Sequence, residues 1–274
     1  MKAGIGRRSL QYLFAYVFVL VALYPIVLMV SSSLKSNAEI FTSPLALPKT
    51  FGLDTYRKLW EVVPFADFLL NSIMVSVTSV LLITVTSSMA AFYLARFSHK
   101  WTGLLYFYFL IGLMVPVKLG IVPLFLLMKK LGLLNSLWSL ILIYTASGIP
   151  ISVFILTGFF RTLPVELEEA ARIDGCSHFQ VFWRVLLPLI RPALGTVVII
   201  TFIQAWNDFF FPLIFIQDEA LKTIPVGMMV LFGEYETDWS LLFAGLTLSA
   251  LPMIAVFLLA SRQFMEGLTA GAGK

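Results

Sequence analysis

Residues Glu166 to Pro192 concentrate side chains that could do chemistry: Glu166, Glu168, Glu169, Asp174, Arg172, Arg184, Arg191, His178 and Cys176. Their spacing follows no catalytic pattern. The chain has no H-E-x-x-H helix, no paired cysteines at metal-ligand spacing and no G-x-S-x-G elbow, and its only histidines are His99 and His178. The G-A-G-K of Gly271 to Lys274 is not a phosphate loop, because Leu268 stands where the first glycine would fall and no strand precedes it. An enzyme is therefore not expected, and the chemistry within reach of these residues is recognition.

The spacing predicts two short helices joined by a turn. Thr162 is the expected N-cap of the first, with Pro164 in its first turn. Glu166, Glu168 and Glu169 then lie near the helix N-terminus, which favours negative charge, and Glu168 and Arg172 stand at i, i+4 with the acid first. Gly175 ends the helix, since it takes a left-handed conformation without steric penalty. Ser177 and Gln180 form a capping box for the second helix. Phe179, Phe182, Trp183 and Leu186 fall on one face of it, and Pro188 and Pro192 mark the entry to the next apolar segment. A capped hairpin with an acidic and an aromatic face suits a soluble partner, and the same residues also suit a lipid surface.

The elements around this hairpin are set by composition. The chain is 59% hydrophobic and 12% charged, whereas about a quarter of residues are charged in an ordinary globular protein. A helix crossing about 30 Å of hydrocarbon needs roughly 20 apolar residues. Six segments qualify: Leu10 to Ser31, Phe68 to Ala95, Gly103 to Leu127, Leu137 to Phe160, Ala193 to Ile216 and Leu241 to Ser261. Pro116, Lys118 and Pro123 interrupt the third, so its span is expected to end near Val115, with a short non-spanning helix after it. The first follows Lys2, Arg7 and Arg8, but its apolar run is too long for a secretory signal and no A-x-A-like site follows, so it reads as an uncleaved span.

With the N-terminus inside, inner segments carry 11 of the 19 basic residues and five of the 15 acids. The first outer loop is long and weighs little in the positive-inside rule, so six spans with both termini inside is the consistent solution. The expected fold is an all-α membrane protein, with residues 1–67 forming the first span and a long extracytoplasmic loop. Residues 68–264 form the core, with the hairpin at about 161–192 between spans four and five, and 265–274 form a cytoplasmic tail. Inner-face bases account for the sequence pI of about 9.2, so no nucleic-acid partner is implied. The single cysteine, Cys176, excludes an intrachain disulfide.

Polar groups within spans are few. Asn71, Gln204 and Asn207 are candidates for lining a translocation path, and Asp208 reads first as an interfacial residue at the outer end of the fifth span. The second span holds Ser72, Ser76, Thr78, Ser79, Thr84, Thr86, Ser87 and Ser88, which suits close helix packing or a hydroxyl-lined path.

Glu169-Ala170-Ala171, then Asp174-Gly175, then Leu187-Pro188 resembles the EAA loop of the membrane subunits of bacterial ABC importers, whose pattern is E-A-A-x-x-D-G followed further on by L-P. Trp206-Asn207-Asp208 with aromatics after it, Pro123-Leu124 followed by Leu131-Gly132-Leu133, and the tail Gly267 to Ala272 extend the likeness over nearly the whole chain. They are similar to the carbohydrate-importer branch, and within it to the second membrane subunit of maltose-type transporters. Cys176 departs from the alanine common after the glycine, and the tail ends in Gly-Lys without the residues often found there.

The resemblance implies a permease subunit of a bacterial cytoplasmic membrane importer. A second permease subunit, two ATP-binding subunits and an extracytoplasmic solute-binding protein would be its partners, beside membrane lipid. ATP and Mg would be used by the partner ATPase, with no cofactor on this chain. The EAA loop would fit a cleft in the ATPase, placing Glu169, Ala170, Ala171, Asp174 and Gly175 at the joint with Phe179 and Phe182 beside them and Glu169 facing a basic residue. Leu268, Thr269, Ala270 and Gly271 would reach the ATPase dimer. The competing expectations are a stand-alone secondary transporter or channel, against which the lack of two similar halves counts, and a permease for a non-carbohydrate solute.

Overall fold

The computed structural model describes residues 3–49, 52–233 and 237–272, with side chains from Leu10 to Ser261. Among the described residues there is no strand, and the one β-bridge pairs Phe232 with Thr237. The helices in chain order are α1 (Ala3–Ser32), α2 (Asn37–Thr42), α3 (Asp54–Val62), α4 (Phe65–Arg96), α5 (Thr102–Met114), α6 (Ile121–Lys130) and α7 (Leu137–Thr162). They continue with α8 (Glu166–Ile173), α9 (His178–Leu189), α10 (Arg191–Asn207), α11 (Phe210–Phe215) and α12 (Trp239–Ala272).

Four helices are long and apolar enough to cross a membrane, at Leu10–Ser32, Phe65–Arg96, Leu137–Thr162 and Trp239–Ser261, and the count rises to six if each of two bent pairs is one span. The chain is thus a multi-pass membrane protein. The first bent pair, α5 with Val117–Lys130, turns by 82° where Pro116 cannot continue the helix. Its leading helix ends at Met114, as the sequence led us to expect. The second pair, α9 and α10, turns by 77° at Ile190, between Pro188 and Pro192. The fifth expected span is not continuous to Ile216: α10 stops at Asn207, Asp208 is extended, and a separate α11 follows. At 1.5 Å per residue, the 17 residues of α10 rise about 25 Å, short of a full crossing.

The chain divides into two compact units, Met1–Ala66 with Gly227–Leu251 and Asp67–Val226 with Pro252–Lys274. In the first, α1 exposes its apolar side chains all round from Leu10 to Val27, as a helix solvated by lipid does. A capping box between Ser36 and Glu39 opens α2. The Lys35 ammonium is buried and donates to the carbonyls of Ser43 and Pro44 at 3.2 and 2.9 Å. Ahead of α12, Asp238 accepts from Ser240 Oγ at 2.7 Å and Leu241 N at 3.3 Å and pairs with Lys58 at 3.0 Å. Partial burial pushes the Asp238 carboxyl up, but the bonds from Ser240, Lys58 and Leu241 outweigh it and hold the group below the usual carboxylate range. A folded-state pKa below the unfolded one gives stability that is complete above the unfolded value and lost as pH falls through the folded one. Asp238→Ala should therefore lower the melting temperature of the solubilised protein at neutral pH, by a loss of about 1 kcal/mol typical of a helix cap. That difference should narrow as pH falls through the folded pKa, because the protonated carboxyl loses its pairing with Lys58.

In the second unit the hydroxyl-rich helix packs closely. Ser72, Ser76, Ser79, Ser87 and Ser88 of α4 are buried, and Ser79 Oγ donates to Ile141 O of α7 at 3.4 Å. A Cβ on Gly148 of α7 would meet Ile83 of α4 at 2.5 Å and Thr201 of α10 at 3.5 Å. Gly148 leaves the space that Ile83 and Thr201 fill, and a small residue at such a contact is how membrane helices associate without a hydrophobic drive between them.

Candidate functional site

The hairpin of α8 and α9 forms largely as its local signals dictate, with one correction at its start. Thr162 is not a cap: it ends α7 and its hydroxyl donates to Phe159 O at 2.7 Å, while α8 begins at Glu166 without a side-chain cap. The turn is a Schellman motif. Gly175 has φ +83°, its N–H donates to Arg172 O at 2.9 Å, and the Cys176 N–H donates to Ala171 O at 3.0 Å. Ser177 and Gln180 make the reciprocal capping box that opens α9. The middle of α9, Val181–Leu186, is π-helical, a wider turn that sequence pattern does not reveal.

The faces of the hairpin are divided more sharply than expected. Glu169, Ala170, Asp174, Gly175 and Phe179 are exposed, and so is Ile173 at 86%. Ala171 and Phe182 point the other way and are buried, with 8% and 3% of their surface accessible. Phe182 lies 5.2 Å from the ring of Phe92 on α4 and 6.3 Å from Phe160 on α7, inside a core with Ala91, Leu156, Leu186 and Val197. The single aromatic face expected of α9 is thus split, and Phe182 and Ala171 anchor the hairpin to its own chain. Glu168 also departs from expectation. It pairs with Arg96 at the end of α4, the two side chains being 5% and 8% exposed, whereas Arg172 donates to His178 Nδ1 at 3.1 Å.

A second polar cluster sits where two helices break. Asp208, after α10, accepts from Tyr144 Oη of α7 at 3.0 Å and from Phe211 N at 3.0 Å, and pairs with Lys118 at 3.3 Å. Lys118 belongs to the break after α5 and also lies over the Phe210 ring at 5.3 Å. Tyr144, Ser147, Gln204, Asp208 and Lys118 line a cavity of about 490 Å³ together with the apolar Pro116, Val117 and Phe211. Asn207 is exposed and donates to Ile203 O at 3.0 Å and to Met253 Sδ at 3.8 Å. Asn71 is different: it is buried, and its amide donates to the carbonyls of Ala220 and Lys222 at 2.8 and 3.1 Å. It ties down the segment after α11.

The binding-protein-dependent transport system inner membrane component family matches residues 83–268, which include the hairpin. The chain belongs to this family. Along its whole length it is 37% identical to a probable ABC transporter permease protein of Bacillus subtilis (strain 168), covering 90% of that protein. It is 33% identical over 98% of its length to a diacetylchitobiose uptake system permease protein of Streptomyces coelicolor, again covering 90%. Its fold matches a crystal structure of a bacterial ABC transporter that imports the polysaccharide alginate, with TM-score 0.83 and 22% identity over 96% of this chain and 98% of that one.

In this permease, α12 continues as helix to Ala272 through Leu268, Thr269, Ala270 and Gly271; their side chains, and Gly273 and Lys274 altogether, lie outside the described residues. Two functional candidates escaped the sequence reading. Arg96 carried no signal beyond its position at a span end. The full Asp208 cluster could have been suspected from Lys118, since two unlike charges in interrupted apolar segments usually find each other.

Proposed function

We propose that this permease is the membrane-spanning subunit of an ATP-driven importer of a sugar or oligosaccharide in the bacterial cytoplasmic membrane. It pairs with a second permease subunit, rests on two ATP-binding subunits and receives solute from an extracytoplasmic binding protein. In this reading six spans place both termini and the hairpin on the cytoplasmic side, and the hairpin docks into the ATPase through Glu169, Ala170, Asp174 and Gly175. The observation that carries it is the division of the hairpin: one face is locked into α4 and α7 by Phe182 and Ala171, while the opposite face is a rigid, capped, exposed surface. Such a division lets the hairpin be moved from outside and carry the spans with it. The diacetylchitobiose permease named above, and a melibiose, raffinose and stachyose import permease of Bacillus subtilis that is 32% identical over 91% of this chain, support the carbohydrate class.

ATP binding closes the ATPase dimer, and the wedged hairpin turns that closure into rocking between inward-open and outward-open states. A ligand shifts such an equilibrium only through unequal affinity for the two states, so the loaded binding protein prefers the outward one. The test is uptake of labelled oligosaccharides into proteoliposomes. Uptake should require the partner permease, the ATPase, ATP and the binding protein together. Uptake by this chain alone under an ion gradient would replace the reading with a secondary transporter.

A further inference from the structure

The exposed face of the hairpin serves a partner, but Arg96 and Glu168 are hidden from any partner. Two buried charges lose their hydration and are tolerated only when they meet, as these do. Each also stands at the helix end that favours it: Arg96 in the last turn of α4, and Glu168 in the first turn of α8. Arg96 Nη2 further donates to Leu163 O, the residue that closes α7, at 3.0 Å. One guanidinium therefore joins the ends of three helices at the root of the hairpin. The neighbouring Phe92, Phe160 and Phe182 rings hold the hairpin by non-directional contacts, with ring planes tilted at 35° to 60°. Apolar packing of this kind resists separation but permits rotation, whereas the Arg96–Glu168 charge pair, with the bond from Nη2 to Leu163 O beside it, ties the start of α8 to the ends of α4 and α7 at one point.

We propose that Arg96 and Glu168 are positioning residues for energy coupling: their pair fixes the direction of α8 on the end of α4. Displacement of the hairpin then moves the second span and is not lost as rotation of the hairpin about its aromatic root. This rests on the reading that the hairpin docks on an ATPase. Without the pair the exposed face still seats on the ATPase, so hydrolysis continues while transport slips.

The test compares solute moved per ATP hydrolysed by the complete complex in proteoliposomes, with the binding protein inside or outside as transport requires. Glu168→Gln should assemble and hydrolyse ATP within about twofold of the unaltered complex, and Arg96→Gln, which leaves the Glu168 carboxylate buried without its cation, should assemble in lower yield, while solute per ATP hydrolysed by the assembled complex falls about tenfold in both, within the range such networks carry. Arg96→Lys, which keeps the charge at Glu168, should recover most of that ratio. An unchanged ratio in both glutamine variants overturns the proposal. So does a fall of transport and hydrolysis in step with the yield of complex, or failure of all three variants to assemble, since either assigns the pair to folding alone. If only Arg96→Gln fails to assemble, the ratios of the other two variants decide. Failure of the underlying reading is seen separately, in the unaltered chain, as transport without an ATPase.

Discussion

Phe182→Ala removes the ring that anchors the hairpin, and the melting temperature of the solubilised complex should drop with a loss of about 3–5 kcal/mol, the range for emptying a buried aromatic site. The ring is 3% exposed and is packed by Phe92 and Phe160, neither of which can collapse far, because each sits on a long helix. Uptake should fall with stability, since a hairpin detached at its root cannot carry α4. Phe179→Ala, three residues earlier and 64% exposed, should leave the melting temperature of the isolated chain nearly unchanged. Equal effects of the two substitutions would show that α9 presents one continuous aromatic face and not the divided one described above.

Gly175→Val is the second large effect, and its cause is backbone strain alone. A Cβ at Gly175 meets nothing within 4 Å, so no clash would follow, but φ +83° is a region that a β-branched residue enters at a penalty of about 1–3 kcal/mol. The cheapest relief is to undo the Schellman turn, which releases the Arg172 and Ala171 carbonyls and re-aims the exposed face of α8. ATP-dependent uptake should therefore fall steeply. Gly175→Asn, which tolerates the left-handed region, should keep most of it. Full uptake by the valine variant would show that the turn does not set the aim of the docking face.

The contrast between these residues and their neighbours marks what could be read from sequence. The Gly175 turn and the Ser177 capping box were legible because each is a bond within a few residues, set by local backbone geometry. The apolar spans were legible because bilayer thickness fixes their length. Glu168 and Arg172 satisfy the i, i+4 rule, but that rule sees only its own helix, whereas burial beside Arg96 brings Glu168 a partner from far along the chain. The sidedness of α9 is not legible for a related reason: in an apolar, aromatic helix, hydrophobicity cannot say which side faces the core, and a π-helical turn rotates the faces further. The break at Asp208 falls four residues before Pro212, whose ring disfavours a helix continuing through Asp208, and the bonds from Tyr144, Phe211 and Lys118 hold the broken end in place.

The central claim, that the exposed face of α8 meets a separate ATPase while its other face belongs to this chain, is tested most directly by cysteine crosslinking from two adjacent positions in the assembled complex. On a background with Cys176 replaced by alanine, Ala170→Cys should crosslink to the co-expressed ATP-binding subunit, with a yield that changes on addition of ATP. Ala171→Cys, 8% exposed and packed in the chain's own core, should not. Crosslinking from Ala171→Cys and not Ala170→Cys, or from neither position in a complex that transports solute, would contradict the account.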